Sequence, residues 1–360
     1  MSEKKKKRRV IVLSIVGAFV LALGIFLIVW YCGASYPQFY SLARQEFAIP
    51  GLSDGVCPQG LTALPENEQG YDFAMSGYLS KGASRVYLID GSEEGKGKYI
   101  TLTDGGVADE SHFGGVTCSE EYLYVACGSR VACLPLEQVI AAENGAAIEA
   151  EYFEAGLNVA FCVYYEDQLF AGEFYRPGNY ETDESHHLET ADGSINHALV
   201  YVFGAGEGAG GLDTSAPVYA ISVRDQVQGL AVFEGGIALS CSYGLPDSTI
   251  WVYKNVLSGA AEQTFSVGGK EIPLYMLDSS NHIGTLTAPC MSEEIAVRGD
   301  RLYILFESKS NKLNCSRARV CRMCSRSRSP ICSLSRKRKE KSAKNRANIE
   351  NMGTICAKIL

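Results

Sequence analysis

No HExxH, Walker loop, dinucleotide fingerprint or Ser-His-Asp order occurs in the 360 residues. The common signatures of zincins, nucleotide-dependent enzymes and serine hydrolases are therefore missing. Past residue 32, long helical periodicity is missing too, which excludes a helical bundle. Basic residues are scarce in the middle of the chain: Val10 to Ser308 holds 12 Lys/Arg against 38 Asp/Glu. So acidic a region repels nucleic acid, and its charge serves solubility or attracts cationic partners. A paired cysteine framework is also lacking. Seven of the thirteen cysteines lie in that middle region, an odd number, several within apolar runs. They read as buried free thiols, with Cys118 and Cys127 as one candidate bridge across a hairpin.

What is present begins at the N-terminus. Lys4 to Arg9 precede Val10 to Cys32, a run without charge. As a helix it would rise about 34 Å, enough to cross a hydrocarbon core of about 30 Å. The basic cluster places residues 1–9 in the cytoplasm and everything after 32 outside. Trp30 and Tyr31 at the exit fit a retained signal-anchor; a cleaved signal peptide and a lipidated Cys32 are the alternatives. Localisation follows as a single-pass protein of the cell membrane, with the bilayer as partner of 10–32.

The remainder is organised by a repeat. Gln59-Gly60-Leu61-Thr62-Ala63, Gly114-Gly115-Val116-Thr117-Cys118, Gln228-Gly229-Leu230-Ala231-Val232 and Glu293-Glu294-Ile295-Ala296-Val297 are variants of one strand, and Ala160 to Tyr164 is a fifth. Each precedes a turn and a second strand: Phe73 to Tyr78, Leu123 to Ser129, Leu169 to Tyr175, Ile237 to Tyr243 and Leu302 to Ser308. Third strands open on Ser84, Ser129 and Ser248. Fourth strands are expected at Tyr99 to Leu102, Glu151 to Phe153, Val218 to Val223 and Pro273 to Met276. Four strands per repeat predict an all-β fold, a β-propeller with five blades. Six is the alternative count, because Arg176 to Asn196 lengthens the third unit. Glu46 to Pro50 is expected to supply the last blade's fourth strand and close the ring. The organisation is thus 1–9 cytoplasmic, 10–32 anchor, 33–45 linker, 46–308 propeller and 309–360 tail.

These repeats, in Gln228 to Val232 and in Ile295-Ala296-Val297 followed by Arg301-Leu302-Tyr303-Ile304, resemble the NHL and gluconolactonase/regucalcin group of propellers. The resemblance covers about residues 46–308. It implies lactonase-type metal chemistry only where a Glu-Gly-Pro start is present, and here Pro58-Gln59-Gly60 stands at that position.

The tail holds fifteen Lys/Arg and two Glu from Lys309 onwards. It reads as disordered and basic. The abrupt change of composition in mid-blade also fits a replaced natural end. Cys321 and Cys324 have a metal-knuckle spacing but lack a second pair or a histidine.

Ligands of propellers are expected where first strands start and second strands end. Those positions select Gln59, His112, Glu173, Tyr175, Gln228, Tyr243, Glu293 and Glu307. Tyrosines there stack on a sugar or cap a peptide. Glu293 and Glu307 are candidate ligands for a divalent cation such as calcium, or an acid and base pair. His186, His187, Asp183, Glu184 and Glu189 form a second, looser candidate cluster. The expected function is a non-catalytic, surface-displayed propeller that binds a ligand or protein at its mouth. The alternative is a metal-dependent hydrolase of lactone or phosphoester type.

Overall fold

A computed structural model describes residues 3–32, 36–261, 263–307 and 332–334, with side chains from 11–25, 36–261 and 263–307. Glu3–Cys32 is a single helix, α1. Its described side chains are apolar and uncovered, with Leu13, Phe19 and Leu21 all exposed. Among the described residues no helix is long and apolar enough to cross a membrane. The last side chains of the apolar run, 26–32, lie outside them.

From residue 43 the chain is β-sheet with only short helical turns. Strand pairing gives successive up-and-down units of four. Unit 1 is Cys57–Ala63, Phe73–Tyr78, Arg85–Ile89 and Gly97–Asp104. Unit 2 starts at Val116–Cys118 and continues in Tyr122–Pro135, which folds back at Gly128 (φ 72°). The Leu136 N–H donates to Glu121 O at 2.7 Å, which closes that hairpin. Its fourth strand is 151–154. The same long strand then turns into the first strand of unit 3, followed by Gln168–Glu173, Ala198–Phe203 and Tyr219–Val223. Unit 4 is Val227–Phe233, Gly236–Cys241, Ser248–Tyr253 and His282–Ala288. Unit 5 is Ser292–Arg298, Arg301–Phe306, Cys332–Leu334 and Ala43–Gln45.

Three expectations change here. The ring is closed by Ala43–Gln45, paired Ala43 to Leu334 and Gln45 to Cys332, and not by Glu46 to Pro50. The latter stretch is a buried joint: Phe47 and Ile49 pack with Phe73 and Tyr303 between units 5 and 1. Likewise the supposed linker 33–45 supplies core, since Phe39 is fully buried edge-on to Phe306 at 6.0 Å. The fourth strand of unit 4 is His282–Ala288. Lys270–Met276 lies instead parallel to Tyr219–Val223, as an added strand outside unit 3. Finally, the tail contributes a strand, Cys332–Leu334; its other residues, and Ser308, lie outside the described ones.

The first strands touch in a cycle, each meeting those of the units before and after it, and unit 5 meets unit 1. A separate apolar cluster fills each of the five junctions. Sheets whose two faces are both covered read as nearly continuous apolar strands, as in Ala198–Phe203 and Gly236–Cys241, where every residue is buried. The insertion Arg176 to Asn196 forms a short 3-10 turn and the hairpin of Leu188–Glu189 with Ile195–Asn196. The cysteines of the described residues are all free, Cys118 and Cys127 included, so that candidate bridge is absent.

Candidate functional site

The site is built by an irregularity repeated in the first strands. Their registers slip between Pro58 and Gly60, Val159 and Phe161, Val227 and Gly229, and Ser292 and Ile295. Each slip is a β-bulge, which inserts one residue and re-aims its side chain. Gln59, Gln228, Glu293 and Glu294 occupy these bulges. Left-handed residues, Gln226 (φ 62°) and Met291 (φ 64°), lead into two of them. At this level the strands come so close that only glycine fits beside Glu294. A Cβ on Gly229 would stand 2.5 Å from Glu294 Cα, and one on Gly115 would stand 2.6 Å from Cys162 N.

Glu294 fills the axis. Its Oε2 accepts the backbone N–H groups of Leu61 and Val116, both at 2.8 Å, and its Oε1 accepts that of Cys162 at 3.2 Å. One side chain thus joins units 1, 2 and 3 to unit 5, and its backbone abuts unit 4. Burial pushes the carboxyl up to about 8, against the pull of those three N–H donors. Reasoning from sequence passed Glu294 over in favour of its neighbour. The available signal was the Glu-Glu pair standing where the other copies have Gln-Gly or Gly-Gly.

On the mouth side of Glu294, five of the expected residues meet. Gln59 Nε2 donates to Glu307 Oε2 at 3.1 Å, and His112 Nε2 lies 3.2 Å from Gln59 Oε1. Gln228 Nε2 donates to Glu293 Oε1 at 3.4 Å. Glu293 is buried; burial, then the charge of Glu307 and a hydrogen bond with it, raise its carboxyl well above the usual range. The two acids therefore share a proton across units 5 and 1. Two residues not singled out beforehand complete the group. Cys57 Sγ donates to Glu307 Oε2 at 3.0 Å, and the ring of Tyr78 lies 3.7 Å from that of His112. Burial first, then a hydrogen bond with Cys57 and the nearby carboxylates, raise the Tyr78 phenol.

Tyr243 forms a second wall of the mouth. The Arg176 guanidinium lies 3.9 Å over its ring, with Phe174 and Tyr180 each 6.2 Å away. Gln226 links this wall to the carboxyl side, donating its N–H to Tyr175 O and accepting from Ser242 N. Tyr175 is turned inward, stacked on His197 at 4.4 Å. His197 Nδ1 is 2.7 Å from Asp225. Glu173 does not join the mouth. It is buried in unit 3, where its Oε2 lies 2.9 Å from His186 Nδ1 and accepts the Leu199 N–H at 3.0 Å.

The His186 loop is thereby explained structurally: His186 satisfies Glu173, and Asp183 caps the 3-10 turn through Ser185 N. Among the described residues no group of three or more His, Cys, Asp or Glu is placed to hold a metal ion. Glu293 and Glu307, the calcium candidates, are a proton-sharing pair instead.

No protein family matches the chain, and no curated protein matches it. Solved structures that are similar to it include propeller-like proteins at low identity. The PQQ-bound aldose sugar dehydrogenase of Streptomyces coelicolor has a TM-score of 0.45 and 14% identity, covering 81% of this chain and 96% of that one. Glutaminyl cyclase of Myxococcus xanthus has a TM-score of 0.39 and 11% identity, covering 73% and 90%. BamB of Moraxella catarrhalis has a TM-score of 0.30 and 11% identity, covering 76% and 58%. These figures do not reach the NHL or gluconolactonase family, and they carry nothing about substrate.

Proposed function

We propose that this chain is a five-bladed β-propeller of NHL-like type, held at the outer face of the cell membrane by α1, that binds a neutral polyhydroxylated ligand at its mouth without chemical conversion. Support for the blade count comes from the five strand units and their five junction cores. Support for the anchor is the uncharged run Val10 to Cys32 behind its basic cluster.

The observation that carries the ligand class is the chain of bonds from His112 through Gln59 to Glu307, with Gln228 on Glu293. Amides and a proton-sharing acid pair present donors and acceptors together, which suits hydroxyl groups that are both. The half-buried Tyr243 wall supplies an apolar face of the kind on which sugar rings lie. The hydrolase reading needs a cluster of metal ligands, and the described residues hold none.

The test is a glycan-binding screen of the full chain in lipid nanodiscs, which avoids glycoside detergents. Neutral oligosaccharides should bind, and Gln228→Ala and Tyr243→Ala should each weaken binding about tenfold. Absence of binding by every neutral glycan, or turnover of a bound one, would sink this reading.

A further inference from the structure

Below Glu294 the ring is open. A cavity of about 310 Å³ runs between the five first strands, walled by Thr62, Thr117, Tyr164, Leu230 and Ile295. Its outer end is lined by Ala63, Cys118, Tyr165, Glu234 and Val297, the last residues of those strands. The turns from first to second strands therefore surround this opening, on the face opposite the mouth. Every one of the five turns carries an exposed carboxylate: Glu68, Glu120, Glu166 with Asp167, Glu234 and Asp300. The basic residues at the fifth turn are already engaged, Arg298 with Asp72 and Arg301 with Glu46. A collar of negative charge around a cavity focuses a field that attracts cations.

The fold delivers a cationic segment to this collar. Cys332–Leu334 runs antiparallel to Arg301–Phe306, with Cys332 opposite Ile304 and Leu334 opposite Leu302. The chain therefore leaves Leu334 level with the Asp300 turn, on the collar face. After Ser335 comes Arg336 to Lys341, five bases and one acid. Leu334 lies in the third strand of its unit, two strand spacings or about 10 Å from the first. Residues 335–341, extended at about 3.3 Å each, reach about 23 Å, enough to cross the opening.

We propose that the basic run Arg336 to Lys341 of this same chain docks on the carboxylate collar and covers this end of the axial cavity. The contact is electrostatic, its partners being turns of units 2, 3 and 4 across the ring. It is independent of the mouth and of any ligand bound there.

Zero-length carbodiimide cross-linking of the full chain in nanodiscs, read by peptide mass spectrometry, tests it. A mixture of isotopically light and heavy protein separates links within one chain from links between two. Lys337, Lys339 or Lys341 should join Glu120, Glu166 or Asp167 within one chain. The yield should fall several-fold on raising salt from about 0.05 M to about 0.5 M, because screening shortens the reach of exposed charges. In the Glu166→Gln/Asp167→Asn variant, links to unit 3 vanish and those to Glu120 persist. The proposal is overturned by links confined to Asp300, by equal labelling of carboxylates on the mouth face, by salt-independent yields, or by links found only between light and heavy copies.

Discussion

Glu294 Oε2 accepts the N–H of Leu61 at 2.8 Å, a bond spanning 233 residues of sequence. With the parallel bonds to Val116 and Cys162, it makes a buried acid the common fastening of four first strands. A buried acid held near neutrality ties the ring's stability to pH.

The Glu294 carboxyl is raised from 4.5 to about 8 in the folded chain. Between those values the folded state binds more protons than the unfolded one, so stability declines as pH rises. The contribution is full below about pH 4.5 and lost by about pH 8, a change of a few kcal/mol. Melting temperature should therefore fall from pH 5 to pH 8. In Glu294→Gln that slope should flatten, while stability at pH 5 drops by about 1–3 kcal/mol because the amide cannot accept all three N–H groups. A wild-type melting temperature that rises over this range would contradict the assignment.

Glu293 is raised for a related reason, burial beside Glu307. Glu293→Gln removes the ionisation and leaves an acceptor for Gln228. At pH 8 and above this variant should melt at or above the wild-type temperature, and thermal denaturation across pH reads it directly.

Ring closure makes two stretches near the N-terminus sensitive. Phe47→Ala should cost about 3–5 kcal/mol, as truncation of a buried aromatic does. Arg44→Pro, in the outer strand opposite Ser333, should destabilise unit 5 by removing a ladder donor. Chemical denaturation of both variants checks this, and neutrality of Phe47→Ala would refute the buried joint.

Close approach of strands at the axis predicts intolerance of the smallest added group. Gly229→Ala would place a methyl 2.5 Å from Glu294 Cα. Overpacking against backbone should cost about 1–3 kcal/mol or prevent folding. Gly244→Ser, in an exposed turn with nothing within 4 Å of its Cβ but a φ of 63°, serves as the milder comparison.

For the anchor, the full-length protein should stay with membranes through high-salt and alkaline washing, and protease added to intact cells should cleave beyond residue 32. Recovery of a soluble form that begins near Ala34 would show a cleaved signal instead.

The repeat was readable because the physical demand behind it recurs. Each first strand needs a small residue where it nears the axis and a bulge residue beside it, so Gln-Gly-Leu returns in phase. For the same reason the mouth residues Gln59, Gln228, Glu293 and Glu307 could be selected from aligned positions. Tyr175 and Glu173 were misread because alternation gives a side chain's face only where the strand is regular. At the end of unit 3 the loop supplies His186 and His197, which draw both residues away from the mouth.

Sequence by itself determined the uncharged helix, the all-β class, the repeated unit and the acidic middle, because these depend on local spacing and composition. Tertiary structure alone decided which of two alternating runs, 270–276 or 282–288, became the fourth strand of unit 4, since either could pair and only the neighbouring sheet selects. It also decided that Ala43–Gln45 and Cys332–Leu334, each too short to mark itself, close the ring by pairing with one another. And it gave Glu294 its part, for the three N–H groups that hold a buried carboxyl come from strands 132 to 233 residues away.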